Sequence, residues 1–501
     1  MNFLQLIAGA ECLARQGNPE IAGVAYDSRR VMPGHCFVAI RGETTDGNHY
    51  IDAALRAGAV AIVSDSLPPR PGIPWARVAH GRTAMAHVSA NFYGHPARKL
   101  FTTGVTGTNG KTTTTLLLHS MFRHAGRKAA LIGTIEYRIN TAVYPSPHTT
   151  PESLELNQFF AGAVESGCTE SVMEVSSHAL DQRRVFGIPF NVVVFTNLTR
   201  DHLDYHSTME EYFVAKRRLF IGCGSLPPRT AVLNIDDEYG RKLIGFCGDA
   251  TQVVTYGIGR GDFHARDLSL ENDGSQFRLA TPIGEIPVYS PLLGRVNVYN
   301  VVAAFAASYA RNVQLESVAE AVANVPPVPG RFEQVNAGQP FTVIVDYAHT
   351  DAALRNLTHV AREFLANRRG SGRVITVFGC GGDRDQSKRP LMGEAAAEGS
   401  DFVVLTSDNP RSEDPISIID QILPGLRRHG TRFTVDADRR RAINLAVQEA
   451  RPGDIVLIAG KGHEKIQVTK EGAFPFDDVE VAHEALTAAG YGPTAMRSAA
   501  S

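Results

Sequence analysis

A glycine-rich stretch near the start of the chain combines residue types that hold nucleotide phosphates. Residues 101–118 read FTTGVTGTNGKTTTTLLL, so an apolar run leads into a glycine-rich turn and then into a helical pattern. Gly107 and Gly110 let backbone N–H groups approach phosphate oxygens, and the N-terminus of the following helix attracts negative charge. Lys111 would neutralise the outer phosphates, and the Thr112 hydroxyl can ligate Mg²⁺.

The match to a strict Walker A motif is imperfect, because Val105 stands where that motif has its first glycine. A glycine-rich turn between a strand and a helix, followed by a surface lysine, is the alternative interpretation. The strand before the turn, the helix after it and the Gly-Lys-Thr triplet favour phosphate binding.

A carboxylate and an imidazole follow two further apolar runs. VMEVSSHALDQRR places Glu174 at the end of one predicted strand, and TNLTRDHLDYH places His202 after another. Ligands of parallel sheets gather beyond the carboxyl ends of the strands, so both side chains are expected beside the phosphate loop, where they suit a divalent cation. Taken alone, His202 is equally well explained as a structural histidine, and Lys216, on the predicted helix EEYFVAKRRLF, as a solvated lysine.

Length and composition limit the class of protein. A chain of 501 residues is too long for one core and predicts two to four domains. With 50 Lys and Arg against 52 Asp and Glu it is nearly neutral, which gives no field to recruit nucleic acid or an anionic membrane. The six cysteines lie far apart without a CxxC pair, and no apolar run approaches membrane-spanning length. We therefore expect reduced thiols and a soluble cytoplasmic protein.

Alternation of apolar runs with helical stretches predicts an α/β protein with parallel sheets covered on both faces. The proline- and glycine-rich segment VPPVPGRFE at 325–333 is typical of a domain linker. The predicted domains are residues 1–100, 101–330 and 331–501.

The third block carries three polar motifs after apolar runs. GCGGDRDQSKRP resembles a dinucleotide-binding turn only weakly, because Arg384 replaces its last glycine. SDNPRSEDP places Arg411 after a strand, where a planar guanidinium suits a carboxylate through two parallel hydrogen bonds. The alternative is a surface arginine that pairs with Glu413 or Asp414 and contributes little. GKGHEK follows the last apolar run.

Together these stretches resemble the Mur ligase family of peptidoglycan synthesis over nearly the whole chain. The motifs GVTGTNGKTTT, MEVSSHAL, TNLTRDHLDYH, GRVNVYN, PGRFE and DYAHT occur in the family's order. The resemblance implies an N-terminal α/β uridine-binding domain, a central parallel-sheet P-loop ATPase-like domain and a C-terminal Rossmann-like domain. It is strongest to members that add the third peptide residue, because AYDSRRVMPGHCFVAIRGETTDGNHYI (25–51) and HTTPE (148–152) are also present.

The activity implied is that of an acid–amino-acid ligase converting ATP to ADP and phosphate. It would join meso-2,6-diaminopimelate to the γ-carboxylate of D-Glu in UDP-MurNAc-L-Ala-D-Glu through an acyl phosphate, in cell-wall precursor synthesis. DNPR resembles the family's signature for diaminopimelate. Mg²⁺ is the implied cofactor, and a monomer without nucleic-acid or membrane partners is expected.

The resemblance also implies roles for individual residues. The catalytic residues would be Lys111, Glu174, His202 and Lys216, with Lys216 carbamylated. The magnesium ligands would be Thr112, Glu174, His202 and carbamylated Lys216. ATP would contact Gly107, Thr108, Asn109, Gly110, Lys111, Thr112, Thr113, Asn297, Asn300, Arg331 and Asp346. The UDP-linked substrate would contact Ser28, Thr149, Thr150, Ser176, Gln182 and Arg184. Diaminopimelate would contact Arg384, Asp408, Asn409, Pro410, Arg411, Gly460 and Glu464.

Two positions depart from the family pattern, and three other functions compete. Val296 stands where Phe is usual, and Asp351 where Pro is more usual after the DYAHT motif. A lysine-adding ligase shares the central machinery but usually differs at DNPR. Folylpolyglutamate synthetase also shares that machinery but has no need of a uridine-binding domain. A non-catalytic nucleotide-binding regulator or P-loop switch is the alternative outside the enzymes.

Overall fold

Three main sheets follow one another along the chain and place the motifs at their edges. The structure is a computed structural model that describes residues 1–42, 45–66, 72–203, 205–271, 273–366 and 372–492. Within those residues, every helix falls short of the length and apolarity needed to cross a membrane.

The N-terminal sheet has five short strands. Its elements are α1 (Phe3–Leu6), β1 (Cys12–Gln16), β2 (Gly23–Ala25), β3 (His35–Val38), α2 (Ile51–Arg56), β4 (Ala61–Ser64), β5 (Trp75–Val78) and α3 (Gly81–Phe92). The strand order is β1-β5-β4-β3-β2, with β2 to β5 parallel and β1 antiparallel at the edge. Helices α1 and α3 cover one face, where Phe3, Leu6, Met85 and Val88 are buried.

The central sheet has eleven strands. Its elements are β6 (Phe101–Thr106), α4 (Lys111–His124), β7 (Ala129–Ile132), β8 (Glu136–Ile139), β9 (Ala142–Pro145), α5 (Ser153–Glu165), β10 (Glu170–Glu174), α6 (Ser177–Asp181), β11 (Val192–Phe195), α7 (Met209–Ile221), β12 (Thr230–Asn234), α8 (Glu238–Ile244), β13 (Gln252–Ile258), β14 (Phe263–Leu270), β15 (Ser275–Thr281), β16 (Gly284–Ser290), α9 (Arg295–Ala310) and α10 (Leu315–Ala323). The strand order is β16-β15-β14-β13-β12-β11-β6-β10-β7-β8-β9.

Helices cover both faces of the parallel part of this sheet, as the alternating pattern predicts. Successive residues of β11 point to opposite faces. Val194 packs in the core formed with α4, α9 and α10, and Val193 packs in the core formed with α5, α7 and α8. Strands β10, β6 and β11 lie side by side and parallel, so the segments that follow them meet at one edge of the sheet.

Antiparallel strands extend the central sheet at both ends, and the sequence analysis did not predict them. Strands β15 and β16 pair antiparallel beyond β14, and β8 and β9 do so beyond β7. The burial of β15 and β16 is mixed along their length, so neither strand gives the continuous apolar run that marks the parallel strands. The run AALIGTIEY is divided by a turn at 133–135 into β7 and β8.

The C-terminal sheet has six strands, and a separate hairpin follows it. The elements are β17 (Glu333–Val335), β18 (Thr342–Asp346), α11 (Asp351–Ala366), β19 (Val374–Phe378), α12 (Lys388–Gly399), β20 (Phe402–Leu405), α13 (Pro415–Leu426), β21 (Arg432–Val435), α14 (Arg439–Glu449), β22 (Ile455–Ala459), β23 (Ile466–Thr469), β24 (Gly472–Pro475) and α15 (Asp478–Ala488). The order is β17-β18-β22-β19-β20-β21, parallel except for β17, while β23 and β24 form the hairpin.

The α/β fold class predicted from the sequence is confirmed. The polar motifs of the third block begin where β18, β19, β20 and β22 end, which is the edge where parallel sheets bind ligands. The two departures from the family pattern are accommodated. Asp351 begins α11, where a carboxylate suits the helix dipole, and Val296 packs against the C-terminal core.

Candidate active site

The glycine-rich loop runs between β6 and α4 in close contact with neighbouring segments. A Cβ added at Gly107 would lie 1.8 Å from Thr196 Oγ1, so no side chain fits there. Gly110 has φ 87°, in the left-handed region that favours glycine, and its added Cβ would lie 2.3 Å from Asn300 Oδ1. The loop therefore presents backbone rather than side chains at the N-terminus of α4, as phosphate binding requires.

Lys111 is folded back onto this loop. Its Nζ donates hydrogen bonds to the carbonyl oxygens of Gly107 at 2.9 Å and Thr108 at 2.7 Å. Burial lowers its pKa from the ordinary value, while Glu174 and Asp201 act in the opposite direction. The ammonium is thus held at the loop with carbonyl oxygens as its only acceptors within the described chain.

Lys216 reaches the same loop from α7. Its side chain is 1% exposed, and its Nζ donates to Gly107 O at 2.8 Å and lies 4.6 Å from the centre of the Tyr212 ring. Burial, followed by the positive charge of Lys111, lowers the pKa of Lys216 well below its ordinary value. The interpretation of Lys216 as a solvated lysine is therefore wrong.

Glu174 ends β10 beside the loop. Its carboxylate accepts hydrogen bonds from Thr134 N at 2.7 Å and from Thr134 Oγ1 at 3.0 Å. The Thr134 hydroxyl also lies 3.1 Å from the Thr149 hydroxyl, and Thr150 Oγ1 donates to Glu174 O at 2.8 Å. The HTTPE segment and the carboxylate are therefore parts of one hydrogen-bonded unit.

His202 lies in the same cavity, in a left-handed conformation with φ 52°. Its ring packs edge-to-face on His178, with centroids 4.9 Å apart, and its Nε2 is 3.5 Å from Asp201 Oδ2. Burial, together with the nearby positive groups, lowers its pKa to about 4 despite Asp201. The ring is therefore neutral at neutral pH and can offer a lone pair to a metal ion.

These groups line a cavity of about 520 Å³, named here the phosphate-loop cavity. The predicted residues that line it are Thr108, Asn109, Gly110, Lys111, Thr112, Thr113, Thr149, Thr150, Glu174, Ser176, Arg184, His202, Arg331 and Asp346. Lys216 lies behind the loop and is not part of this lining. Carboxylate, hydroxyl and imidazole donors in one cavity are a set that fits Mg²⁺.

Arg331 and Asp346 bring the linker and the C-terminal sheet to this cavity. Arg331 Nη2 lies 3.5 Å from Thr112 Oγ1, and its guanidinium stacks over the Tyr347 ring at 4.7 Å. The Asp346 carboxylate accepts from Phe332 N at 2.7 Å and Ala348 N at 2.9 Å. Burial raises the pKa of Asp346, opposed by Arg331.

Asn297 and Asn300 are buried beneath the loop and do not line this cavity. Asn297 Nδ2 donates to Leu293 O at 2.8 Å, and Asn300 Nδ2 donates to Asn297 Oδ1 at 3.0 Å. Thr114 Oγ1 lies 3.4 Å from Asn300 Oδ1. In this arrangement Asn300 contacts the loop at Gly110 and the first turn of α4 at Thr114, and Asn297 orients Asn300.

The residues predicted to hold the UDP-linked substrate fall into two places. Gln182 and Arg184 are joined by hydrogen bonds of 3.1 and 2.7 Å, and Arg184 Nε lies 3.0 Å from Glu152 Oε1. Ser28 belongs to a short 3₁₀ turn of the N-terminal sheet, next to a separate cavity of about 670 Å³. That cavity lies between the N-terminal and central sheets and is lined by Tyr26, Tyr137 and Glu155, among others.

A third cavity, of about 360 Å³, lies at the carboxyl edge of the C-terminal sheet and is named here the DNPR cavity. The predicted residues that line it are Arg384, Asp408, Asn409, Arg411, Gly460 and Glu464. Pro410 is the one predicted diaminopimelate contact that is absent from this lining.

Arg411 is oriented by the loop and forms no salt bridge among the described residues; its charge contributes, after the hydrogen bonds from Ser412, to the lowered pKa of Asp383. Its backbone has φ 52°, and its Nη1 donates to Gly382 O at 2.7 Å. The expected alternative, a pair with Glu413 or Asp414, is wrong. Glu413 pairs with the buried Arg389 at 2.8 Å, and Asp414 accepts from Ser417 N at 2.9 Å to cap α13.

The phosphate-loop cavity and the DNPR cavity form one cleft between the central and C-terminal sheets. Both are lined by Arg200, Asp201, His202, Tyr347, His349 and Thr350. Three of these residues, Arg200, Tyr347 and His349, were not predicted to belong to the site. The signal was available, because these residues lie inside TNLTRDHLDYH and DYAHT, beside the residues that were chosen.

A phosphate loop that faces a second α/β sheet across a ligand cleft is the arrangement expected of an ATP-dependent ligase. Family models match residues 20–93 (Mur ligase family, catalytic domain), 105–308 (Mur ligase middle domain) and 330–462 (Mur ligase, glutamate ligase domain). The chain belongs to the Mur ligase family.

Individual relatives cover almost the full chain. Two curated proteins are named UDP-N-acetylmuramoyl-L-alanyl-D-glutamate–2,6-diaminopimelate ligase. The one from Solibacter usitatus is 52% identical over 95% of each chain, and the one from Geobacillus thermodenitrificans is 46% identical over 94% of this chain and 96% of its own. A solved structure of a ligase with the same name is 33% identical, with a TM-score of 0.68 over 98% and 99% of the chains. Folylpolyglutamate synthase from Mycobacterium tuberculosis shares the fold at 19% identity and a TM-score of 0.61, over 82% of this chain and 95% of its own.

The position of Lys111 predicts a large kinetic effect. Lys111→Ala should lower kcat at least about a hundredfold, because the loop loses the cation that meets the transferred phosphoryl group. ADP release in a coupled assay measures this, with circular dichroism to establish folding. The exposed Lys99 is the control position, and Lys99→Ala should retain full activity. A folded Lys111→Ala enzyme with normal kcat would contradict the assignment.

Proposed function

We propose that the protein joins meso-2,6-diaminopimelate to the D-Glu γ-carboxylate of UDP-MurNAc-L-Ala-D-Glu at the expense of ATP. The observation that carries the proposal is the shared wall of the phosphate-loop and DNPR cavities, which gives an activated carboxylate and an incoming amine one meeting place. The printed names of relatives 42% to 52% identical over nearly the whole chain support the same activity.

Phosphoryl transfer would come first. The γ-carboxylate attacks the γ-phosphorus of ATP, and the bond between that phosphorus and the β,γ-bridging oxygen breaks. ADP departs, and an acyl phosphate remains on the UDP-linked substrate. Lys111 and the backbone N–H groups of the loop stabilise charge on the phosphoryl oxygens, so catalysis is mostly positioning and electrostatics. Bound Mg²⁺, held by Thr112, Glu174, His202 and carbamylated Lys216, would reduce repulsion between the two anionic reactants.

Amide formation would follow in the same cleft. The diaminopimelate amine attacks the acyl carbon, the tetrahedral intermediate forms, and phosphate leaves. Closure of the C-terminal domain about residues 325–333 would exclude water, which otherwise hydrolyses the acyl phosphate.

The chemistry of Lys216 favours carbamylation. Carbamate formation requires a neutral amine to attack CO₂, and the burial that lowers the pKa of Lys216, together with the charge of Lys111, favours that form. The product is an anion beside Lys111, so a repulsive contact becomes an attractive one.

Specificity for diaminopimelate would rest on Arg411. Diaminopimelate differs from lysine by a distal carboxylate, which a guanidinium that forms no salt bridge among the described residues can bind through two hydrogen bonds. Lysine would leave that guanidinium unpaired in a partly desolvated cavity, a defect sufficient for roughly thousandfold selectivity.

The remaining assignments complete the proposal. The division of the strands into three main sheets supports domain boundaries near residues 100 and 330. The uridine would bind the N-terminal domain near Ser28. Asn297 and Asn300 would act on ATP through the loop they support. We propose a cytoplasmic monomer, with UDP-MurNAc-L-Ala-D-Glu, diaminopimelate and ATP as its partners.

A ligation assay tests the function. Purified protein with UDP-MurNAc-L-Ala-D-Glu, ATP and Mg²⁺ is offered diaminopimelate, lysine or ornithine, and phosphate release and the peptide product are measured. We expect turnover to require both the acceptor and diaminopimelate. A preference for lysine would favour the lysine-adding ligase, and phosphate release without either substrate would favour a nucleotide switch.

Lys216→Ala should lose nearly all turnover, because the carboxylate formed on Lys216 is absent. Millimolar short-chain carboxylic acids should restore part of the activity, because they can occupy the space of the carbamate. Lys242→Ala, on the exposed face of α8, is the control and should need no rescue. Full activity of Lys216→Ala without added acid would refute the carbamate.

Arg411→Ala should remove most of the roughly thousandfold preference for diaminopimelate over lysine, because the guanidinium no longer binds the distal carboxylate. The ratio of kcat/KM for the two amino acids measures it. Arg428→Ala, a substitution at a mostly exposed arginine, should leave the ratio unchanged. An unchanged ratio in the Arg411 variant would exclude Arg411 as the discriminator.

A further inference from the structure

Lys461 has a fully buried ammonium group directly behind the DNPR cavity. Its side chain is 0% exposed, and its Nζ donates to Asn409 Oδ1 at 3.1 Å, to Glu464 Oε2 at 3.3 Å and to Ile466 O at 2.5 Å. These contacts use the three protons of the ammonium. Lys461 therefore has no donor left for a ligand, and its effect on the site must pass through its neighbours.

The Asn409 amide is fixed by this arrangement. Its Oδ1 also accepts from Val468 N at 2.9 Å, and its Nδ2 donates to Glu464 Oε2 at 2.8 Å. With the acceptor facing Lys461 and the donor facing Glu464, the opposite orientation of the amide would place its NH₂ group against an ammonium and a backbone N–H. The amide can therefore hold only this orientation while Lys461 is charged.

The Glu464 carboxylate is held by one oxygen. Its Oε2 receives the hydrogen bonds from Asn409 and Lys461, while its Oε1 receives none from the described residues. The side chain is 30% exposed and lines the DNPR cavity. An anionic oxygen without a donor at a cavity wall is suited to a cationic group on the ligand.

We infer that Lys461 is a positioning residue that holds Glu464 with Oε1 directed at the distal ammonium of the amino-acid substrate. This inference rests on the proposed function, in which Glu464 contacts diaminopimelate, and adds the residue that orients Glu464. Lys461 also offsets part of the cost of desolvating Glu464 before the substrate arrives. Without Lys461, both the Asn409 amide and the Glu464 carboxylate gain other orientations.

The first test is a kinetic comparison of the full-length enzyme and Lys461→Met. We expect KM for diaminopimelate to rise at least about tenfold, with kcat and the KM values for ATP and the UDP-linked substrate changed less than about twofold. Lys470→Met is the matched control, since Lys470 is 73% exposed, and it should behave as wild type. If wild type does not use diaminopimelate, the proposed function fails. If wild type does and Lys461→Met keeps its KM, only this inference fails.

The second test measures coupling to Glu464. 2-Aminopimelate has the distal carboxylate but lacks the distal amine, so wild type should prefer diaminopimelate, and Lys461→Met should reduce that preference at least about fivefold. The Glu464→Gln substitution should reduce this preference much less in the Lys461→Met background than in wild type. Additive effects would overturn the inference. Loss of folding in both Lys461→Met and Lys461→Gln would also overturn it, in favour of a structural role.

Discussion

Two lysine ammonium groups share one peptide carbonyl, and the design of the central site depends on how their charge is balanced. Lys111 and Lys216 donate to Gly107 O from different helices, at 2.9 and 2.8 Å. Burial lowers the pKa of Lys216, and repulsion from the like charge of Lys111 lowers it further. Anions would relieve this repulsion, whether phosphate oxygens at Lys111 or the carboxylate proposed on Lys216. The loop is therefore built for a state in which negative charge is present.

The DNPR cavity presents charges of both signs to a ligand, one on Arg411 and one on Glu464. Within the described residues Arg411 forms no salt bridge, while Arg389 pairs with the nearby Glu413. Glu464, in contrast, is held by Lys461 through one oxygen only. A ligand that carries both a carboxylate and an ammonium at its distal end would satisfy the two groups together. Binding such a ligand adds no net charge to the cavity, which favours a zwitterionic end over a singly charged one.

The positions of site residues could be predicted from the sequence wherever a motif directly followed a continuous apolar run. Glu174, Asp346 and Asp408 all lie at or just beyond the ends of parallel strands, as predicted. Contacts between distant positions were not predictable from such runs. The face of α9 that carries Asn297 and Asn300 depends on its packing under the loop, and α9 is buried nearly all round. The pairing of Glu413 with Arg389, 24 residues away, likewise decided the environment of Arg411.

The linker at residues 325–333 contacts segments that line both the phosphate-loop cavity and the DNPR cavity. Gly330 has φ 62°, and a Cβ there would lie 2.1 Å from His463 N, so the linker is pressed against the GKGHEK loop. Its carbonyl accepts from Tyr347 N at 3.0 Å, and the next residue, Arg331, reaches Thr112. The same short segment thus contacts the loop that carries Glu464 and the helix that begins at Lys111. A movement of the linker is therefore expected to change both cavities, because Gly330 and Arg331 contact segments of each.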